Sequence, residues 1–126
     1  MSPIDLFDRA LRFRPEGTVE SGERRMAADD GGWQLAAFHV ESDADVHADH
    51  WEMHPAGDEA VCCLRGALRL YLRPAEPGAP ETAVRLTAGT AFLVPRHHWH
   101  RIELDEPSDI MSIGLRGGTR QEPVQR

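Results

Sequence analysis

The feature that most constrains the fold is a series of short segments in which apolar and polar residues alternate with a period of two. They include residues 33–40 (WQLAAFHV), 46–54 (VHADHWEMH), 59–65 (EAVCCLR), 67–73 (ALRLYLR), 82–87 (TAVRLT), 90–95 (TAFLVP), 98–104 (HWHRIEL) and 109–115 (DIMSIGL). A period of two is typical of strands that bury one face. Frequent Gly and Pro residues separate the segments. The pattern therefore predicts an all-β domain, either an antiparallel sandwich or a small barrel.

The 126 residues suffice for one domain with its own core. The start of the chain predicts a short helix, with Ser2 as a cap, Pro3 at the first helical position and Asp5 completing a capping pattern. Apolar residues of this segment fall on one helical face: Ile4, Phe7 and Leu11. We expect an N-terminal helix and arm over residues 1–32, a barrel over 33–116 and a flexible polar tail over 117–126.

The charge of the chain limits its partners. The formal net charge is −7 and the pI is about 5.4, which argues against binding to nucleic acid or to an anionic membrane. No apolar run approaches the roughly 20 residues that span a bilayer, and the N-terminus carries acids instead of the apolar stretch of a signal peptide. We therefore expect a soluble cytoplasmic protein.

Strand parity groups the chemically active side chains. His50, Glu52 and His54 share one face of a strand, and Glu59 shares a face with Val61. His98 and His100 share a face with Ile102 and Leu104, which is apolar and should point inward. A buried carboxylate or imidazole needs a charged partner, a hydrogen bond or a metal. Convergence of Glu52, His54, Glu59 and His100 inside a small barrel is best explained by a metal ion.

The spacing of these residues resembles the two motifs of the cupins. Glu52, His54, Glu59 and Gly66 match the first motif, in which two histidines one residue apart are followed by a glutamate and then by a glycine. The second motif has a glycine, five residues, a proline and a later histidine, which Gly89, Pro95 and His100 match. The resemblance covers roughly residues 33–115 and implies the antiparallel cupin barrel, or jelly roll, with metal ligands at His54, Glu59 and His100.

The sequence departs from the cupin pattern at three positions. Glu52 stands where the motif has a histidine, His97 replaces a glycine, and Leu104 replaces an asparagine. Two interpretations of the metal site remain open. Glu52 is a fourth ligand, or it stays free as an acid–base residue together with His50 and leaves a triad of two histidines and one carboxylate. Such a set suits a divalent Fe, Mn, Zn or Ni ion.

The fold leaves the function open, because cupins carry out many activities. The first hypothesis is a metal-dependent enzyme acting on a small polar molecule, of the oxygenase or isomerase type. The second is a non-enzymatic small-ligand-binding or sensory module, with a degenerate metal site. A sugar-nucleotide isomerase comes last, because no basic cluster for a diphosphate is evident. The resemblance also implies a homodimer formed through an outer sheet and the N-terminal segment.

Overall fold

The computed structural model describes residues 2–25 and 32–125, and these residues form two antiparallel sheets. The six-stranded sheet has the order β2-β1-β3-β10-β5-β8, with β1 at Ala10–Phe13, β2 at Val19–Gly22, β3 at Trp33–Val40, β5 at Glu59–Arg65, β8 at Thr90–Val94 and β10 at Ser108–Gly114. The five-stranded sheet has the order β11-β4-β9-β6-β7, with β4 at His50–Met53, β6 at Ala67–Leu72, β7 at Thr82–Thr87, β9 at His100–Leu104 and β11 at Arg120–Pro123. The predicted all-β class and the antiparallel pairing are confirmed.

The core lies between the inner faces of the two sheets. Leu68 and Leu70 of β6 and Ile110 of β10 have no exposed surface. They pack in one cluster with Val61 and Val94 from the six-stranded sheet. Each of these side chains comes from an alternating position of its strand, so that apolar burial fixes which face of each strand turns inward.

The predicted N-terminal helix is wrong. Residues 6–8 form a turn, and the Asp5 carboxylate before it accepts a hydrogen bond from the backbone N–H of Phe7. Strand β1 begins at Ala10. Ile4 and Phe7, expected on a buried helical face, are 47% and 45% exposed. The segment 10–13 instead pairs with both β2 and β3. Sheet pairing on two sides outweighs the weak local preference for a helix.

The residues expected to form a flexible tail contain a strand. β11 pairs with β4 in register, Gln121 opposite Glu52, and β1 and β2 likewise extend the six-stranded sheet beyond the boundary expected at residue 33. The only helix within the described ranges is a 3₁₀ turn, Asp43–Val46. Nowhere in those ranges does a helix have the length and apolar character needed to cross a bilayer.

Candidate metal centre

Four side chains predicted to converge do so on the inner faces of the sheets. Glu52 lies in β4, His54 directly follows it, Glu59 begins β5 and His100 begins β9. Glu52 and His100 are direct cross-strand neighbours. One potential ligand atom from each of the four residues lies within 4.8 Å of the others. Three of the four residues are buried, and Glu52 is half-buried.

The carboxylates and imidazoles of the cluster contact one another directly. Nε2 of His54 lies 3.0 Å from Oε1 of Glu52 and 3.3 Å from Oε1 of Glu59. Nε2 of His100 lies 3.0 Å from the same Glu59 oxygen. Glu59 therefore sits at the centre of the cluster, between the two histidines.

Hydrogen bonds at the far side of each ring fix the orientation of both histidines. Thr119 donates its hydroxyl hydrogen to the carbonyl of Arg116 at 2.9 Å, so its oxygen accepts from Nδ1 of His54 at 2.8 Å. Nδ1 of His100 faces the carbonyl of His98 at 3.3 Å, and a carbonyl only accepts. Both rings therefore carry a proton on Nδ1 and direct Nε2 into the cluster, as histidine ligands of metals do.

An arginine that the sequence analysis did not single out completes the cluster. Nη1 of Arg116 lies 3.1 Å from Oε2 of Glu59, 3.7 Å from Oε1 of Glu52 and 3.4 Å from Nε2 of His54. The side chain is buried. Without a metal, the guanidinium group thus stabilises the carboxylates of Glu59, which is buried, and Glu52, which is half-buried.

The mutual contacts shift the pKa values of the cluster. Burial alone would lower the pKa of His54, but hydrogen bonds to Glu52 and Glu59 outweigh it and raise the pKa to about 9. Burial alone would raise the pKa of Glu59, yet hydrogen bonds from His100 and His54 hold it far below its ordinary value. The pKa of Glu52 is likewise lowered, because the hydrogen bond to His54 and the charge of Arg116 exceed the effect of burial. Both carboxylates of the metal-free cluster are thus ionised at neutral pH.

Other predicted residues lie outside the cluster. His50 is half-exposed, with Nδ1 2.9 Å from a carboxylate oxygen of Asp49, and it lines a cavity of about 60 Å³ that also contacts Glu52 and His100. His98 is exposed.

Arg116, Thr119 and Gln121, which donates to Glu52 at 3.1 Å, were missed. The sequence contains a pattern that predicts the position of Arg116. In a strand, residues two apart share a face, and Arg116 continues the alternation of Ile110 and Ser112, which face the interior.

The residues present fit a divalent metal. Two imidazoles and two carboxylates are ligands that Fe, Mn, Zn and Ni accept, and the two Nε2 atoms and the carboxylate oxygens converge on one point. The hydrogen bonds on Nδ1 of both histidines provide the outer support that such ligands need. The positive charge of Arg116 opposes a metal cation. Its contact is with Oε2 of Glu59, whereas both histidines contact Oε1.

Comparisons with solved structures agree with the predicted fold. The chain is similar to oxalate decarboxylase from Bacillus subtilis, with 19% identity and a TM-score of 0.53, over 72% of this chain and 23% of that one. It is also similar to a cupin-2 domain protein from Shewanella frigidimarina, with 23% identity and a TM-score of 0.52, over 73% of this chain and 78% of the other. The chain therefore has the cupin fold, as the sequence predicted.

The similarity is one of fold. The chain spans less than a quarter of the length of the oxalate decarboxylase, in which Mn(II) centres have been described. A hydroquinone 1,2-dioxygenase, solved with Cd²⁺ and 4-hydroxybenzonitrile, matches with 17% identity and a TM-score of 0.50, over 68% of this chain and 59% of that one. No protein-family model and no curated protein matches the chain in sequence.

Proposed function

We propose that the chain is a small metal-binding cupin that acts on a small polar molecule. One divalent Fe, Mn, Zn or Ni ion is held by His54, Glu59 and His100, with Glu52 as the fourth ligand or as a free carboxylate beside them. The observation that carries this proposal is the orientation of both imidazoles, whose Nδ1 atoms are hydrogen-bonded and whose Nε2 atoms converge with two carboxylates.

A bound ion would polarise a substrate oxygen as a Lewis acid, which suits isomerase chemistry, and a redox-active ion such as Fe(II) would supply the electrons that oxygenase chemistry with O2 requires. The chain itself supplies the groups that hold and move protons. Glu52 lines two cavities, one of about 220 Å³ beside the cluster and the smaller one that His50 also lines. We assign acid–base roles to Glu52, when it is not a ligand, and to His50 from the smaller cavity. Gln121 holds the second oxygen of Glu52 and so orients that carboxylate.

A second candidate function, a non-enzymatic ligand-binding module, is favoured by Arg116. Its guanidinium group already stabilises Glu59 and Glu52, so the buried carboxylates have a counter-charge without any metal. In that case the cluster would be a structural remnant, and the cavity beside it would bind a ligand without turnover.

Metal analysis of protein purified without a histidine tag tests the first proposal. Wild type, reconstituted with Fe(II), Mn, Zn or Ni and dialysed, should retain about one equivalent of one metal. His100→Ala should lose it, whereas His98→Ala, which removes an exposed histidine of the same segment, should not. Retention of no metal by the folded wild type would favour the second candidate, and a ligand that raises the Tm without turnover would then support it.

We further propose that two copies of the chain pair through the outer face of the six-stranded sheet. A row of apolar residues crosses five of its strands in register: Leu11, Leu35, Ile113, Ala60 and Leu93. Phe13, Trp33 and Leu64 are more than a third exposed beside them. The row carries no charge in a chain of net charge −7, so a second copy can meet it without like-charge repulsion, and apolar patches of this kind mark interfaces.

Sedimentation tests this pairing. Wild type should sediment near twice the 14.1 kDa chain mass. Leu93→Asp places a charge on the row at a residue that is 69% exposed, so the fold should survive and the dimer should dissociate. Ala83→Asp, on the exposed edge strand of the other sheet, is the matched control and should stay dimeric. A wild type that is monomeric at all concentrations contradicts the proposal.

A further inference from the structure

A space with largely apolar walls lies directly beside the cluster. It is a cavity of about 220 Å³, bounded at its inner end by Glu52, Glu59 and His100. Residues that are exposed to solvent line its outer end, among them Arg24, Arg25 and His47. Among the described residues, this space connects the cluster with solvent.

The walls of the cavity define the body of a ligand. Phe38, Val61, Ile102 and Ile110 provide apolar side chains from both sheets. The volume exceeds the roughly 150 Å³ of an apolar cavity that accepts benzene. A phenyl ring or a short alkyl chain with one polar group fits this space, and a purely polar ligand would leave the apolar walls unused.

The charges around the cavity define the polar group. Three arginines line it, Arg24, Arg25 and Arg116, against three carboxylates. One of these carboxylates, Asp45, accepts hydrogen bonds from the backbone N–H groups of Glu41 and Ser42. The other two, Glu52 and Glu59, face the histidines. A divalent ion in the cluster would neutralise those two, and the guanidinium groups would then leave the cavity positively charged.

Arg116 is the arginine placed to exchange partners. Its Nη1 lies 3.1 Å from Glu59, in a buried position where cavity and cluster meet. If a metal bound the Glu59 carboxylate, the guanidinium group would face a cation. A carboxylate on a ligand would then be its best partner. Arg24 is held elsewhere, since it donates to the carbonyl of Phe7 at 2.8 Å and lies over the Phe38 ring.

We propose that the cavity binds a small carboxylate with an apolar body, and that Arg116 moves from Glu59 to this carboxylate when a metal occupies the cluster. The inference rests on the proposed metal-binding function and gives it a substrate class. It also assigns Arg116 two partners, one in each state. Arg116 is then a residue that binds substrate in the metal-loaded protein and protects the carboxylates in the metal-free protein.

Calorimetric titration with phenylacetate and its neutral isostere phenylacetamide tests the ligand class without any variant. Metal-loaded wild type should bind the acid about tenfold more tightly or better, because a charge-assisted bidentate pair replaces a neutral contact. Arg116→Gln should abolish this preference. Arg65→Gln, which removes an exposed arginine outside the cavity, should keep it. Equal binding of acid and amide by wild type, or a preference that persists in Arg116→Gln, overturns the inference.

Metal affinity provides a second readout that is independent of activity. Arg116→Gln should bind the metal about tenfold more tightly or better than wild type, because a competing cation has been removed. If Arg116 had only a structural role, its loss would disorder the cluster and lower the metal affinity, which is the opposite result. If metal binds and the acid has no advantage, only the inference fails. If the wild type takes up no metal, the proposed function fails and the exchange of Arg116 fails with it.

Discussion

Two charged clusters lie on opposite faces of β9, and they use similar residues differently. His100 turns inward to the inner cluster of Glu52, His54, Glu59 and Arg116, whereas Arg101 turns outward. The outer cluster consists of Arg69, Glu81, Arg85, Arg101, Glu103 and Asp105. Each acid of the outer cluster contacts an arginine. Glu103 and Glu81, for example, contact Arg101 at 2.6 Å and 2.9 Å.

The difference between the clusters is one of convergence. The outer cluster extends along the sheet as a chain of ion pairs, and its carboxylate oxygens point to separate arginines. In the inner cluster, two imidazole nitrogens and two carboxylates direct their ligand atoms to one place. Balanced charge alone is thus typical of a surface network, whereas convergence of buried donors indicates a binding site.

The largest effect should follow from removing the central carboxylate of the inner cluster. Glu59→Gln should lower metal affinity by more than the roughly 10–100-fold that loss of an outer-shell partner costs. Glu103→Gln, the matched change in the outer cluster, should leave metal affinity unchanged. Metal titration with a competing chelator measures both variants, and equal affinities in the two would remove the distinction between the clusters.

The next effect concerns the support of His54. Thr119→Val removes the hydroxyl oxygen that accepts from Nδ1, and we expect metal affinity to fall about 10–100-fold. Thr119→Ser keeps the hydroxyl group and should restore most of the affinity. The same chelator titration tests both changes, and full affinity in Thr119→Val would show that His54 needs no orienting partner.

The sequence predicts the inner cluster well because strand parity and the cupin spacing are local patterns. Glu59 and His100 share the inward face of their strands with apolar residues, and the cupin spacing adds Glu52 and His54. Arg116 and Thr119 were missed because they lie beyond the last apolar segment. Their role depends on β11, a polar edge strand whose pairing with β4 is set by the fold rather than by its own sequence.

The N-terminal segment was predicted wrongly for a related reason. Ser2 and Pro3 give a local helix signal, but residues 10–13 find strand partners on both sides. Strand pairing that the local signal does not reveal, with the hairpin partner β2 and the more distant β3, thus decides the N-terminal segment. The middle of the chain is set by alternation that the sequence shows directly.

A smaller effect is expected in the outer cluster, whose ion pairs should contribute to the stability of the fold and not to metal binding. Arg101→Met removes a side chain that is only 7% exposed and whose guanidinium group lies 4.2 Å from the centre of the Tyr71 ring. We expect the free energy of unfolding to fall by about 1–3 kcal/mol, because two acids lose a buried partner. Arg85→Met, at a side chain that is 61% exposed, should change it by less than about 0.5 kcal/mol.

Urea denaturation of the metal-free protein measures both arginine variants, and metal affinity should stay unchanged in each. A large loss of metal affinity in Arg101→Met would contradict the separation of the two faces of β9.

The smallest expected effect is a dependence on pH. The hydrogen bond from Arg101 lowers the pKa of Glu103 below its ordinary value of 4.5. Because the pKa of Glu103 is lower in the folded state, the ionised carboxylate stabilises the fold above pH 4.5. This stabilisation is lost as the pH falls through the folded-state pKa. The stability difference between wild type and Glu103→Gln should therefore be at most about 1 kcal/mol at pH 7. It should shrink towards zero in acid, and urea midpoints at several pH values test this, since a difference that grows in acid would contradict the assignment.

The most direct test of the metal site is an anomalous-diffraction map from a crystal of protein reconstituted with Mn(II). We expect one peak among Nε2 of His54, Nε2 of His100 and the Glu59 carboxylate, with the Arg116 guanidinium group turned away from Glu59. A map with no peak there, and with Arg116 still on Glu59, would show that the cluster is closed by its own arginine and would contradict the metal site.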